Sequence, residues 1–67
     1  MTPDTLRAIR LSAAPDMSQA RFAQAIGYVD ADAYRKYESG ARPVPHLLAL
    51  LMRMIEAHGM DAIHRDP

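Results

Sequence analysis

The segment SQARFAQAIGYVDADAYRKYESG, residues 18–40, contains two short helical patterns, each of which ends at a glycine. The first pattern begins at Ser18, a residue type that caps helices, and ends at Gly27, where a left-handed backbone closes a helix. The second pattern begins at Asp30 and ends at Gly40 for the same two reasons. The sequence therefore predicts two short helices that meet across a tight turn.

Further helices flank this segment on both sides. The sequence Thr-Pro-Asp at residues 2–4 is typical of a helix start, because it offers a cap, a proline in the first turn and a carboxylate at the positive helix end. Pro15 ends this first helix, since the residue before a proline avoids helical geometry. A last helix is predicted from about residue 45 to residue 58. We therefore expect an all-α, compact domain of four to five helices over residues 1–67.

The composition excludes several classes of protein. Eight Lys and Arg residues balance eight Asp and Glu residues, so any argument for a nucleic-acid partner must rest on where the charges lie. The chain has no cysteine, which leaves no disulfide and no thiolate metal site. Its charged first residues are unlike a secretory signal, and its longest apolar run, residues 47–52, is far shorter than the roughly 20 residues of a membrane span. We expect a soluble, cytoplasmic protein.

The predicted helix at residues 31–39 has two different faces. Tyr34 and Tyr37 are three residues apart and share a face, which we expect to pack inward together with Val29. The side chains left pointing outward are those of Ala31, Asp32, Arg35 and Lys36. Such a helix fits the major groove of DNA, roughly 12 Å wide, where Arg and Lys suit guanine acceptors and Asp suits a cytosine amino group. From the charge pattern alone, a solvated helix face explains these residues equally well.

Two motifs, MSQARFAQAIG at residues 17–27 and VDADAYRKYESGARPVP at residues 29–45, resemble the helix-turn-helix core of the lambda-repressor-like (Cro/cI or XRE-type) DNA-binding domains. The shared pattern is Ser-Gln-x-x-hydrophobic-Ala, a glycine at the turn, an aromatic residue before Glu-x-Gly, and then a basic residue and prolines. The YESG ending of the third helix, residues 37–40, and the Gly-x-Val turn are similar to those of short phage-encoded, anti-CRISPR-associated repressors. The resemblance covers residues 6 to about 55 and implies a helix-turn-helix at about residues 18–39.

The resemblance also implies a role for each matching residue. Gln19 would hold a phosphate of the DNA backbone, and Arg42 would contact the backbone after the recognition helix. Asp30 would cap that helix. Arg10 and Glu38 would form a structural ion pair between the first helix and the end of the third. The base-facing and phosphate-facing positions would be Ala31, Asp32, Arg35 and Lys36.

The last helix, at about residues 45–58, has more apolar residues than a single core-facing side requires. We expect four of them to face the core: Leu47, Leu48, Leu51 and Ile55. The second apolar stripe that remains consists of Leu50, Met54, Ala57 and Met60. Paired about a two-fold axis, this stripe would form a dimer interface and set two recognition helices roughly 34 Å apart, which predicts an inverted-repeat operator. In the alternative, the tail covers the stripe through Ile63 and the protein is a monomer.

The sequence offers no signature of catalysis or of a metal site. His46, His58 and His64 are separated by twelve and six residues, which does not place two of them on adjacent helical turns. No nucleophile or carboxylate stands beside a histidine in a catalytic pattern, and there is no glycine-rich phosphate loop. We therefore expect no enzymatic activity, no cofactor, no metal, no membrane partner and no small-molecule substrate.

Two classes of function remain. The resemblance implies a sequence-specific transcriptional repressor that binds palindromic double-stranded DNA as a homodimer and regulates its own phage or mobile-element operon. The alternative is a protein-interaction module, similar to an antitoxin or an adaptor, that uses the apolar last helix to hold a partner. The two differ in salt dependence, because phosphate binding weakens steeply as salt rises.

Overall fold

The computed structural model describes residues 1–27 and 30–63. These ranges contain four α-helices, α1 (Pro3–Ala13), α2 (Gln19–Ile26), α3 (Ala31–Ser39) and α4 (His46–His58), and a 3-10 turn at Gly59–Ala62. No strand occurs in either range. The fold of the described chain is therefore all-α, as the sequence predicts. Val29, for which the sequence suggested an inward position, and His64 lie outside the described residues.

Side-chain caps begin the first three helices, as predicted. Thr2, Ser18 and Asp30 accept hydrogen bonds from backbone N–H groups three residues later, at 3.1, 3.1 and 2.7 Å. Gly27 and Gly40, which follow α2 and α3, have φ angles of 67° and 85°. Glycine adopts this left-handed region without a steric penalty. Both α2 and α3 therefore begin and end at residues that local chemistry selects.

One apolar core lies among the four helices. α3 packs against α1 and α2, and α1 also packs against α4. The buried apolar side chains are Leu6, Ile9, Ala14, Phe22, Ala23, Tyr34, Leu48, Met52 and Ile55. The rings of Phe22 and Tyr34 lie 5.5 Å apart at a tilt of 55°, so an aromatic pair joins α2 to α3. The radius of gyration, 10.8 Å, matches the roughly 11 Å of a folded domain of this length.

The predicted division of α4 into faces is partly wrong. Leu47, expected in the core, is 63% exposed, whereas Met52, not expected there, is fully buried. Leu48 and Ile55 are buried as predicted, and Leu51 is half-buried. The buried residues are four and three positions apart, which places them on one line along the helix. Leu47 lies about 100° around the helix from that line, since each residue turns the helix by this angle.

An exposed apolar strip runs along the other side of α4. We call it the α4 stripe, and it consists of Leu47, Leu50, Met54 and Ala57. Leu50 is 50% exposed and Met54 is 51% exposed. Met60, expected on the stripe, is half-buried against the core instead, because the 3-10 turn directs the chain back onto the domain. Ile63 also packs against the core, while Leu50 and Met54 stay half-exposed.

The helices of the described ranges are too short or too polar to cross a lipid bilayer. The longest of the four α-helices, α4, has 13 residues, whereas a span requires roughly 20.

Candidate nucleic-acid interface on α3

The two faces of α3 differ sharply in burial. Tyr34 is fully buried and Glu38 is 5% exposed. On the opposite face, Asp32, Arg35 and Lys36 are exposed. Charged and hydrogen-bonding groups on this face are therefore free to meet a partner molecule, while the buried face fixes the helix to the domain.

Three other residues of α3 are half-buried, and two of them pack against the core. Ala31, expected to point outward, packs against the core because it lies three residues before Tyr34 and therefore on the inward face. This corrects its assignment to the exposed set. Tyr37 packs against the core as well, as the sequence predicts. The outward surface of α3 is therefore narrower than the sequence suggested.

A buried cluster of polar side chains joins α3 to α1 and α2. Arg10 donates from Nε to Oε2 of Glu38 at 2.6 Å and from Nη2 to Oε1 at 3.2 Å. Gln19, the first residue of α2, donates from Nε2 to the same Oε1 at 2.9 Å. The ion pair that the resemblance implied is thus present with two hydrogen bonds, and Gln19 links α2 to it. We call Arg10, Gln19 and Glu38 the buried polar cluster.

Charge complementarity keeps the cluster ionised. Burial alone would raise the pKa of Glu38, but the donors around it, Arg10 above all, outweigh burial and hold the pKa below its ordinary value of 4.5. The hydrogen bond to Glu38 likewise raises the pKa of Arg10 although burial opposes it. Both groups are therefore charged at neutral pH. Removing one partner of such a buried pair costs about 3–5 kcal/mol, because the other charge is left unpaired.

The phenol of Tyr34 lies beside the cluster. Its hydroxyl is buried close to Glu38 and Arg10 but makes no hydrogen bond of ordinary geometry. Burial, followed by the neighbouring Glu38 carboxylate, strongly raises the pKa of Tyr34. The phenol is therefore neutral at any physiological pH, and it contributes bulk to the core rather than charge to the surface.

Gln19 was expected at a phosphate, and the structure turns its amide inward. One of the two amide hydrogens is used by Glu38, which leaves the other for a further acceptor. The side chain is half-buried. Sequence reasoning missed this contact because the two residues are 19 positions apart and no local pattern connects them. The position of α3 relative to α2 therefore depends on Gln19.

Asp32 and Arg35 form an ion pair on the outward face of α3. Nη2 of Arg35 donates to Oδ1 of Asp32 at 2.9 Å, and the two side chains are 52% and 81% exposed. The hydrogen bond and charge of Arg35, followed by the charge of Lys36, lower the pKa of Asp32. The spacing of three residues that allows this pair was visible in the sequence. One carboxylate oxygen of Asp32 is therefore already occupied by Arg35.

The segment after α3 places Arg42 near the end of that helix. The backbone N–H of Arg42 donates to the carbonyl oxygen of Lys36 at 3.3 Å, and the Ser39 hydroxyl donates to the same oxygen at 3.2 Å. The Arg42 side chain is exposed. The backbone of Arg42 is thus held beside the C-terminal end of α3, and its cationic side chain is accessible to a partner molecule.

The exposed charges of α3 and its cap cancel. Asp30 and Asp32 oppose Arg35 and Lys36, and Glu38 is neutralised by Arg10 within the domain. Only Arg42 adds a positive charge just beyond the helix. Because long-range attraction to a polyanion scales with net charge, this surface depends on short-range contacts rather than on a strong overall field.

Other parts of the described chain offer little chemistry. No group of three or more His, Cys, Asp or Glu side chains in residues 1–27 and 30–63 is placed to hold a metal ion. A shallow cleft of about 380 Å³ between α1 and the end of α4 is lined mainly by small and apolar residues. The exposed charged side chains of α3, Asp32, Arg35 and Lys36, lie within five successive residues of a helix whose opposite face is buried.

Comparison of the chain with protein-family models, with curated proteins and with solved structures found no significant match. A function for α3 therefore rests on the chemistry and placement of its own side chains and on the motif resemblance at residues 17–27 and 29–45.

Proposed function

We propose that this chain is a sequence-specific DNA-binding transcriptional repressor whose α2 and α3 act as a helix-turn-helix. The observation that carries this proposal is the outward face of α3, on which Arg35 and Lys36 are exposed while Tyr34 and Glu38 fix the opposite face. A helix presented in this way suits the major groove, where Arg and Lys donate to guanine acceptors. The resemblance to lambda-repressor-like domains supports the same function.

The rigidity of the attachment favours recognition of a specific sequence. The buried polar cluster and the aromatic pair of Phe22 and Tyr34 hold α3 against two other helices. A contact to a base edge requires donors to be placed within hydrogen-bonding distance and direction. A recognition helix that is fixed in this way loses little conformational freedom on binding, which favours affinity. Arg42 supplies a further contact to the DNA backbone.

The proposed repressor acts as a homodimer in the cytoplasm. Exposed apolar side chains on one side of α4 favour pairing of two copies about a two-fold axis. Two copies of α3 then lie about one DNA turn apart, roughly 34 Å, and contact an inverted repeat. The resemblance to phage repressors suggests that the operator precedes the protein's own reading frame and that binding there blocks transcription of its operon.

A gel-shift titration tests this proposal. The purified protein is mixed with the DNA upstream of its reading frame, in excess non-specific competitor and over a series of salt concentrations. We expect a discrete shift that resists competitor and weakens as salt rises, because phosphate contacts release counterions. No shift at micromolar protein, on this DNA or on a randomised duplex library, would contradict the proposal.

Variants of α3 locate the interface within this assay. Arg35→Ala and Lys36→Ala are each expected to weaken the specific shift strongly, because each removes a cationic donor from the DNA-facing side of α3, while helicity and melting temperature stay unchanged. The matched control is Arg7→Ala, since Arg7 is 53% exposed in an equivalent ion pair on α1. The control is expected to bind DNA as the unmodified protein does. Normal operator binding by either α3 variant would show that another face contacts DNA.

A second candidate function is supported by the α4 stripe. Leu50 and Met54 are half-exposed apolar side chains, and methionine adapts to irregular partner surfaces. In this alternative the chain is a protein-interaction module, similar to an antitoxin or an adaptor. Partner binding through the stripe would be insensitive to salt and to Arg35→Ala, and would be lost in Leu50→Gln. The two functions are therefore separable with the same variants.

A further inference from the structure

We propose that Asp32 is a positioning residue that holds Arg35 for the edge of a guanine base and keeps it from DNA phosphates. The site would consequently prefer a G·C base pair opposite Arg35. This inference rests on the proposed function, because it assigns the base class that the same face of α3 selects.

The geometry of the ion pair leaves Arg35 able to read a base. A guanidinium group carries five N–H donors, and one donor of Arg35 Nη2 is directed to Oδ1 of Asp32 at 2.9 Å. The remaining donors are sufficient for the two-point contact that arginine makes to O6 and N7 of guanine. Because one end of the group is held, Arg35 loses less side-chain freedom when it contacts a base.

Electrostatics separates the two acceptors that DNA offers to Arg35. A phosphate is an anion, so the neighbouring carboxylate of Asp32 repels it and also competes for the same donors. The base edge of guanine is a neutral acceptor pair, which a nearby carboxylate disfavours far less. The ion pair has no net charge and therefore weakens phosphate binding more than base binding. Specificity increases because the unwanted contact is penalised.

Lys36, the next residue along α3, differs from Arg35 in its ion pairing. Among the ion pairs of the described residues, Lys36 takes part in none, whereas its neighbour Arg35 is paired. A compact ammonium group without a paired carboxylate suits a phosphate, and a planar guanidinium held at one end suits a base. The two adjacent cations are thus suited to different parts of the DNA.

An equivalent ion pair on α1, between Arg7 and Asp4, provides a control for purely structural effects. On α1, Nη2 of Arg7 donates to Oδ1 of Asp4 at 2.9 Å, and the side chains are 53% and 88% exposed. Asp4 and Asp32 are both the second residue of their helix. Any contribution of such a pair to helix stability is therefore present in both places, and only the Asp32 pair lies on the proposed DNA face.

The test measures base preference and salt dependence for Asp32→Ala, Arg35→Ala and the double variant. Binding sites are selected from a randomised duplex library, and affinities are then measured for the selected site and its single-base variants. We expect the preference of Asp32→Ala for one G·C pair to be about tenfold lower than that of the unmodified protein. Its non-specific binding should tighten, and the slope of log K against log salt should steepen by about 0.9, since Arg35 gains a phosphate contact.

The double variant distinguishes positioning from direct reading of a base by Asp32. In the Arg35→Ala background, Asp32→Ala should change base preference no further, because no arginine is left to position. Asp32→Asn should steepen the salt slope in the same way but keep part of the base preference, since the amide oxygen still accepts from Arg35. Asp4→Ala should change neither quantity.

Three outcomes would overturn the inference. Unchanged base preference and salt slope in Asp32→Ala would mean that the pair is only part of a solvated surface. A further loss of preference on adding Asp32→Ala to Arg35→Ala would mean that Asp32 contacts a base itself. Absence of any selected sequence for the unmodified protein would overturn the proposed function as well. Circular dichroism of every variant excludes unfolding as the cause of a change in binding.

Discussion

Glu38 is a carboxylate whose charge is tolerated inside the domain because Arg10 and Gln19 donate to it from two other helices. We expect Glu38→Ala to lower the free energy of unfolding by about 3–5 kcal/mol, since Arg10 is left buried and unpaired. Urea denaturation followed by circular dichroism measures this loss. The matched control is Glu56→Ala, which removes a pair 3.1 Å long whose side chains are more than half exposed.

The control is expected to cost less than about 1 kcal/mol, as exposed ion pairs do. Equal stability losses in the two variants would mean that the Arg10–Glu38 pair contributes no more than a surface pair. A loss confined to Glu38→Ala would establish that the buried polar cluster holds the three helices together.

The lowered pKa of Glu38 also predicts how stability depends on pH. Glu38 binds a proton less readily in the folded protein than in the unfolded chain, where its carboxyl group has the ordinary pKa of 4.5. The contribution of this carboxylate to stability is therefore complete above pH 4.5, and it is lost as the pH falls through the lower folded value. We expect melting temperatures to fall below that pH, and Glu38→Gln to weaken this acid dependence. An identical pH profile in Glu38→Gln would assign the acid sensitivity to other groups.

At the scale of the helix, two methionines of α4 provide a direct comparison. Met52 is fully buried and Met54 is 51% exposed, although they are only two residues apart. We expect Met52→Ala to destabilise the domain by about 2–5 kcal/mol, because it leaves a cavity in the core. At protein concentrations low enough to keep the protein monomeric, Met54→Ala is expected to change stability by less than about 1 kcal/mol, as is usual for surface positions. Similar losses in a thermal or urea melt would show that α4 is rotated from the orientation described.

Helix boundaries were predictable because they depend on neighbours in the chain. The caps Ser18 and Asp30 and the glycines Gly27 and Gly40 act within one turn of their own helix, so the sequence alone identifies them. The facing of α4 was less predictable. Its apolar residues surround much of the helix, and the contact with α1 decides which of them are buried. Sequence periodicity therefore misassigned Leu47.

In the candidate site, too, the outward residues could be predicted from the sequence, whereas the contact of Gln19 with another helix could not. Arg35 and Lys36 were identifiable as outward residues, because Tyr34 and Tyr37 mark the inward side of the same short helix. The inward turn of Gln19 was not identifiable, since its partner is on another helix and distant in sequence. Contacts between helices depend on the packed domain, and the Arg10–Glu38 pair was predictable only because the resemblance implied it.

At the scale of the whole molecule, the α4 stripe predicts an oligomeric state. We expect the protein to be a dimer by analytical ultracentrifugation and Leu50→Gln to make it a monomer, because a polar group replaces an apolar contact. The variant should bind a palindromic operator about 100-fold more weakly, since two linked half-sites bind far better than one. Its affinity for an isolated half-site should not change.

Arg53→Gln is the matched control, because Arg53 lies on the same helix with a side chain that is 61% exposed. We expect it to remain dimeric. A monomeric unmodified protein that still binds the palindrome, or a Leu50→Gln protein that stays dimeric, would exclude the stripe as the interface.

The separation of the two faces of α3 has a consequence for how such a protein diversifies. None of the exposed positions 32, 35 and 36 contributes to the core or to the buried polar cluster. Substitutions there leave the energetics of folding nearly untouched, so in a repressor of this design new operator preferences can arise by mutation without a compensating change elsewhere. Positions 10, 19 and 38 have no such freedom, because each substitution there affects three helices at once. A lineage of related domains would therefore vary at the first set of positions and remain uniform at the second.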